Sequence, residues 1–188
     1  MPKVALDLDG VVFDSENLYR VYTEIYDVEK NKKDTLIDNT QRTFQKRYNW
    51  SKEEVKKFYS ENAEKVLKTA NFMTGVEIVL NKLKNYFEFI IVTSRNDIET
   101  QIALEKLKTI GFTDVKIFNN EHDKIDRLFQ EQVDYVIDDD AEICKNAATH
   151  NITALYFKNN ASTKIEQERV ININNWGEIY KYLMLKRS

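Results

Sequence analysis

Cysteine is almost absent from this chain: the one thiol, Cys144, has nothing in the same chain to pair with in a disulfide, which fits a reducing compartment. Its residue type on a helical stretch reads as small apolar packing rather than as a nucleophile. Long hydrophobic runs are missing too. Phe89-Ile90-Ile91-Val92 is among the longest, far short of the roughly 20 residues that span a bilayer. The opening Met1-Pro2-Lys3-Val4 meets a charge at once and lacks the pattern of a signal peptide. Neither sign of charge dominates, with 28 basic and 31 acidic residues and a net charge of -3. That balance gives no basic stripe for a nucleic acid polymer and no polybasic segment for a membrane surface. The expectation is a soluble, cytoplasmic protein whose partner is a small molecule; no oligomeric state is implied.

What is present is enough for a core. The 188 residues are 42% hydrophobic and include ten tyrosines, ten phenylalanines and two tryptophans, which suits one domain with a modest insertion. Short apolar runs alternate with longer helical patterns, the signature of an α/β fold: a three-layer, Rossmann-like, mainly parallel sheet. Expected strands are Val4–Leu8, Phe89–Thr93, Val115–Phe118, Tyr135–Asp138 and Ala154–Phe157. A helix is expected from Thr74, with Glu77 completing a capping box, through Val76, Val79, Leu80, Leu83 and Phe87. Another follows Asp97 through Ile98, Ile102, Leu107 and Ile110 to a stop at Gly111, and a last one runs from Trp176 through Ile179 and Leu183.

The alternation breaks once. The connection between the first two strands is far longer than an ordinary crossover of about a dozen residues. Leu18, Tyr22 and Ile25 fall on one helical face, as do Leu36, Thr40, Phe44 and Tyr48, and Ser51 with Glu54 opens a further run through Val55, Phe58, Tyr59 and Val66. Residues 15–72 are therefore expected to form a small helical cap over a core of residues 1–14 and 73–188.

Three polar clusters fall at the carboxyl ends of expected strands, where open α/β sheets bind ligands. The first is Asp7-Leu8-Asp9-Gly10. Alternation along the strand lets Asp7 and Asp9 point into one pocket, and Gly10 permits a tight turn. Two such carboxylates repel unless a cation or proton intervenes, which a hard divalent ion the size of Mg²⁺ would supply; solvated surface acids are the plainer reading. The second is Thr93-Ser94-Arg95, either a phosphate-oxygen contact beside backbone N–H groups or ordinary turn residues. The third is Asp138-Asp139-Asp140 after Val136-Ile137, read either as metal ligands or as an acidic helix N-terminus.

Taken in order, DxD, then a hydroxyl, then a lysine, then DD, each at a strand end, the set resembles the haloacid dehalogenase (HAD) superfamily from Lys3 to about Phe157. Val4-Ala5-Leu6-Asp7-Leu8-Asp9-Gly10 matches the first motif, Thr93 the second and Asp138-Asp139 the fourth in its DD form. The third-motif lysine is Lys124, with Lys116 as the alternative. The helical insertion is similar to a C1-type cap. Within the superfamily, Thr93-Ser94-Arg95 and Ile137-Asp138-Asp139 resemble the deoxyribonucleotidase branch (5′(3′)-nucleotidase type C).

The resemblance implies phosphoryl transfer through an aspartyl-phosphate on Asp7, with Asp9 as acid and then base. Mg²⁺ would be held by the Asp7 carboxylate, the Asp9 main-chain carbonyl and Asp139, with Asp138 on a metal-bound water. Thr93, Ser94 and Lys124 would bind the phosphoryl oxygens. The cap aromatics Tyr19, Tyr22, Tyr26, Phe44, Tyr48, Trp50, Phe58 and Tyr59 suit either a stacked nucleobase or internal packing. The expected activity is hydrolysis of a nucleoside monophosphate; the alternatives are a sugar phosphate or other small phosphoester, or a phosphate sensor without turnover. His122, between Glu121 and Asp123, offers a further metal ligand but reads rather as an exposed loop histidine, and the chemistry requires neither it nor His150.

Overall fold

The computed structural model describes residues 1–41, 43–121, 123–158 and 162–187. Its frame is a six-stranded sheet in which every neighbouring pair is parallel, in the order β3-β2-β1-β4-β5-β6. These strands are β1 (Lys3–Leu6), β2 (Glu88–Val92), β3 (Lys116–Phe118), β4 (Tyr135–Asp138), β5 (Thr153–Phe157) and β6 (Val170–Ile173). Their side chains divide by alternation between two cores. Val4, Leu6, Phe89, Ile91, Ile137 and Leu155 enter one; Ala5, Ile90, Val92, Val136, Ala154 and Tyr156 enter the other. Helices α4 (Val76–Leu83), α5 (Asp97–Thr109) and α8 (Trp176–Lys186) cover the first face, and α6 (Lys124–Gln130) and α7 (Ala141–Thr149) cover the second. The three-layer α/β arrangement read from the sequence is the one observed, with no antiparallel strand in the sheet among the described residues.

Strand order reverses at β1, which runs between β2 on one side and β4 on the other. A crevice opens at such a switch point, beyond the carboxyl ends of the strands. β1 stops at Leu6 rather than Leu8, and β2 at Val92 rather than Thr93. The polar residues that follow stand at the strand ends, at the edge of that crevice. β6 was not expected at all. Its Asn172 breaks the apolar pattern, yet that side chain both donates to and accepts from the Ile165 main chain at 2.9 Å, so an amide stands in for a packed apolar residue.

Between β1 and α4 lie α1 (Ser15–Asn31), α2 (Phe44–Arg47) and α3 (Lys52–Thr69). The Ser51–Glu54 capping box that opens α3 is present in both directions. The expected faces around α1 and α2 are not. α1 buries Tyr19, Thr23, Tyr26 and Asp27, while Ile25 is exposed. The polar pair is buried because it is satisfied: Tyr48 donates to the Thr23 hydroxyl at 3.1 Å, and Trp50 donates to Asp27 at 2.6 Å. Residues 36–41 and Thr43 are not helical, and Leu36 meets Tyr48 through an isolated antiparallel bridge instead. Helix α4 likewise starts later than expected. Gly75, at φ 91°, is its N-cap, and Thr74 with Glu77 forms no capping box. On α5 the Asn96–Glu99 pair makes the capping box, and Ile98 is exposed rather than on the buried face. No helix among the described residues is long and apolar enough to cross a membrane.

Candidate active site

The loop after β1 is shaped by backbone rather than by side chains. The Asp7 N–H still donates to Ile137 across the sheet at 3.0 Å. Beyond it, Val12 and Phe13 both donate to the Leu8 carbonyl, and Gly10 donates to Phe13, closing a tight turn. Leu8 is driven into the core, so its flanking residues Asp7 and Asp9 are left at the crevice. Gly10 has φ 75°, and a Cβ there would lie 2.8 Å from the Asp139 carboxyl carbon. Only glycine allows the loop to approach Asp139 this closely.

Asp7, Asp138 and Asp139 are all buried, and each offers a carboxylate oxygen within 4.8 Å of the others. One ammonium group serves two of them. Lys124, the first residue of α6, places Nζ 2.9 Å from Asp7 and 2.8 Å from Asp138. Burial works against its charge, but the Asp138 and Asp7 carboxylates outweigh burial and hold its pKa above the ordinary lysine value. Asp7 responds the other way: burial, with Asp138 and Asp9 nearby, overcomes the pull of Lys124 and lifts it to about 6. Three buried carboxylates against one ammonium is an excess of negative charge that a hard cation with oxygen ligands would relieve. The donor set therefore fits Mg²⁺. Asp138 is already committed, with one oxygen on Lys124 and the other accepting the Asp140 N–H at 2.8 Å. Asp7 and Asp139 are the carboxylates placed to hold an ion directly. Asp140, the third of the run, is instead the N-cap of α7 and accepts from Glu142 and Ile143. The two readings of the acidic run thus apply to different residues in it.

Asp9 faces elsewhere. Arg95 grips it with both prongs, Nε at 2.9 Å and Nη2 at 2.7 Å, and the Ser15 hydroxyl donates to the same carboxylate. Burial disfavours its charge, yet Arg95 and then Ser15 outweigh burial and hold its pKa below the usual carboxylate value. The Asp9 side chain is not in the acid cluster, so any part it takes in metal binding falls to its main-chain carbonyl. Arg95 lies over the Phe13 ring at 5.1 Å and is itself buried. Its pairing with Asp9 was missed in the sequence, where Arg95 is marked only as the neighbour of Thr93 and Ser94.

Of the expected phosphate ligands, Lys124 and Ser94 line the cavity above Asp7. Thr93 is buried behind them, its hydroxyl accepting the Arg95 N–H at 3.3 Å. Lys116 is excluded: it pairs with Glu131 at 3.0 Å, near the surface. Cys144 is buried 3.5 Å from the Asp138 carbonyl, and burial pushes its thiol pKa up, as befits packing. His150 is exposed, with its ring on the Asn146 carbonyl; His122 lies outside the described residues.

The cavity measures about 450 Å³. Asp7, Asp9, Ser94, Arg95 and Lys124 form its floor, and Tyr19, Phe44 and Tyr59 from the helical insertion form one wall. The Phe44 and Tyr59 rings stack at 5.2 Å. The other expected aromatics pack together instead, with Phe58 edge-on to Phe44 and Tyr26, and Tyr48 stacked on Trp50.

No family model matches the chain, and no curated protein matches it. Solved structures do. A hydrolase of the haloacid dehalogenase-like family from Streptococcus pneumoniae aligns with TM-score 0.70 at 18% identity, over 97% of this chain and 98% of that one. A protein described as a predicted phosphatase from Clostridium acetobutylicum aligns with TM-score 0.70 at 17% identity, over 98% of each chain. A HAD hydrolase from Bacillus subtilis, solved with magnesium bound, aligns with TM-score 0.65 at 13% identity, over 97% of this chain and 98% of that one. The fold is that of the haloacid dehalogenase-like hydrolases.

Proposed function

Taking that fold as the premise, we propose that this chain is a Mg²⁺-dependent phosphatase that hydrolyses a small phosphomonoester through an aspartyl-phosphate on Asp7. The observation that carries the proposal is the buried cluster of Asp7, Asp138 and Asp139 around Lys124 at the topological switch point. A bound divalent ion would supply positive charge to the phosphoryl oxygens and to the excess carboxylate charge. The rest is the work of the side chains. Lys124 holds one Asp7 oxygen and turns the carboxylate toward the crevice. An Asp7 oxygen attacks phosphorus as the ester oxygen departs, and Asp9 relays to that oxygen the proton brought by the substrate's monoanionic phosphoryl group. Water then attacks the aspartyl-phosphate, Asp9 accepts its proton, and phosphate leaves with Asp7 restored. Arg95 and Ser15 hold Asp9 in its ionised form, the form this second step requires. Ser94 and Lys124, which line the cavity, would bind the phosphoryl oxygens together with Thr93, whose hydroxyl also accepts the Arg95 N–H.

The helices between β1 and α4 act in this reading as a C1-type cap, residues 15–72 over a core of 1–14 and 73–188. The aromatic wall of Tyr19, Phe44 and Tyr59 supports a planar leaving group, and so a nucleoside monophosphate handled in the manner of the 5′(3′)-nucleotidases. A sugar phosphate is the second reading, favoured by the polar side chains of Gln45 and Glu99 that line the same cavity. Asp7→Asn, assayed with an aryl phosphate and Mg²⁺, is expected to lose more than about 99% of turnover. Retention of a tenth or more would remove Asp7 as the nucleophile.

A further inference from the structure

The helical insertion joins the core at a narrow junction, where its outgoing and returning chains lie side by side. Phe13 bridges to Phe72 and their rings stack at 5.1 Å, the Asp14 N–H donates to the Asn71 carbonyl at 2.9 Å, and the Met73 N–H donates to the Val12 carbonyl at 2.8 Å. Where the insertion sits over the cavity is fixed further out, by α3 leaning on α5. On α5, Ile102 and Lys106 stand one helical turn apart on the face turned to α3. Ile102 is buried in the same apolar cluster as Tyr19, Phe58 and Leu67 of the insertion. Lys106 makes the polar half of the contact: its Nζ donates to the Lys68 carbonyl at 3.1 Å and to the Ala70 carbonyl. The last carbonyls of a helix have no partner within it, and a lysine there also meets the negative end of the helix dipole. Lys106 thus caps a helix that ends 38 positions earlier in the chain. Leu67, directly before the first of these acceptors, lines the cavity, and Tyr59, about two turns earlier on α3, belongs to its aromatic wall.

The place is electrostatically unfavourable for an ammonium group. Burial pulls the Lys106 pKa down and the Arg95 charge pulls it further. Both cations lie over the Phe13 ring, Arg95 at 5.1 Å and Lys106 at 5.5 Å, and the ring and the two carbonyls are what offset that opposition. Resting on the phosphatase reading above, we propose that Lys106 is a positioning residue for the leaving group: by holding the carboxyl end of α3 against α5 it sets where Tyr59 and Leu67 stand over the acid cluster, and with them the affinity for substrates whose leaving group reaches that wall. Its ammonium group bonds to main-chain carbonyls at the end of α3, not to Asp7 or Asp9, so its effect belongs to binding rather than to the chemical step.

The test compares Lys106→Met, which keeps an apolar stem and removes the donors, with Lys106→Arg, which restores them. Lys106→Gln, a donor without the charge, should fall between the two and serves in place of Lys106→Met should that chain not fold. The substrates are p-nitrophenyl phosphate and adenosine 5′-monophosphate, whose rings would meet the wall, and acetyl phosphate, whose leaving group is far smaller, all at one free Mg²⁺ concentration. Lys106→Met is expected to raise KM for the two ring-bearing substrates by at least about fivefold with kcat held within about twofold, and to leave both constants for acetyl phosphate within about twofold. Lys106→Arg should recover most of the lost affinity. Hydrogen exchange gives a readout that needs no turnover: the amides of residues 59–72 should exchange faster in Lys106→Met than in the wild-type protein or Lys106→Arg, while those of β1 and β4 stay as they were. An equal fall in kcat on all three substrates would place the effect on Arg95 and Asp9 through the Phe13 ring and overturn the inference while leaving the phosphatase intact. Unchanged exchange along α3 would overturn it too. If the wild-type protein hydrolyses none of the three, the phosphatase reading fails, and exchange alone decides whether Lys106 seats the insertion.

Discussion

Lys124 is the residue on which the acid cluster depends. Its ammonium group is the shared partner of Asp7 and Asp138, and both carboxylates are shut away from water. Removing one partner of a buried charge cluster leaves the remainder uncompensated, which is costlier than never having buried it. Lys124→Met is therefore expected to lower phosphatase turnover by at least about 100-fold and to lower the melting temperature as well. Lys116→Met should change neither by more than about twofold or a degree or two, because that exposed lysine pairs with Glu131 and lies over the Phe118 ring, away from the acid cluster. Steady-state assays and thermal melts on the two variants, run side by side, check this; equal losses would mean that the wrong lysine has been placed in the site.

At the scale of elements, the insertion is held together by a buried carboxylate as much as by its rings. Asp27, near the end of α1, accepts from the Thr35 N–H at 2.7 Å, Trp50 Nε1 at 2.6 Å and Asn31 Nδ2 at 2.8 Å, and the Thr35 hydroxyl reaches it as well. Burial alone would raise its pKa, but the Thr35, Trp50 and Asn31 donors outweigh burial and hold it below the ordinary 3.8. A carboxylate whose folded pKa is depressed adds stability that is complete above its unfolded pKa and is lost as pH falls through the folded one. Asp27→Asn should therefore melt below the wild-type protein at pH 7, and the gap should close as the pH is taken below 3.8. A gap that stays constant across that range would show that the carboxylate's charge contributes nothing. This network also explains what could and could not be read from the chain beforehand. The strand-end acids were legible because burying Asp7, Asp138 and Asp139 needs a chemical reason. The α1 face was not, because Thr23 and Asp27 count as polar in any periodicity, and only the distant Tyr48 and Trp50 make their burial tolerable. The Arg95–Asp9 pair was hidden for the same reason, since its partners are 86 positions apart.

For the whole molecule, ion binding and fold stability are linked through the switch point. An ion that binds only the folded chain stabilises it by about 2.7 kcal/mol at 100 times its dissociation constant. Mg²⁺ is expected to raise the melting temperature of the wild-type protein, to do so far less in Asp139→Asn, and to restore activity removed by a chelator. Gly10→Ala should behave like Asp139→Asn. A side chain at that strained φ of 75° would push against the Asp139 carboxylate. Calorimetric titration with Mg²⁺ separates these outcomes from general unfolding, and undiminished Mg²⁺ affinity in Gly10→Ala would count against the cluster as the binding site.

The indole of Trp176, the first residue of α8, is fully buried and donates to the Val11 carbonyl at 2.8 Å, inside the loop that carries Asp7 and Asp9. The loop is thus locked by a residue 165 positions further along the chain. On a ribosome, Val11 would emerge well before its clasp, and the loop would remain unset until α8 had followed it out. In the reading proposed above, catalytic competence would arrive only when that clasp closes.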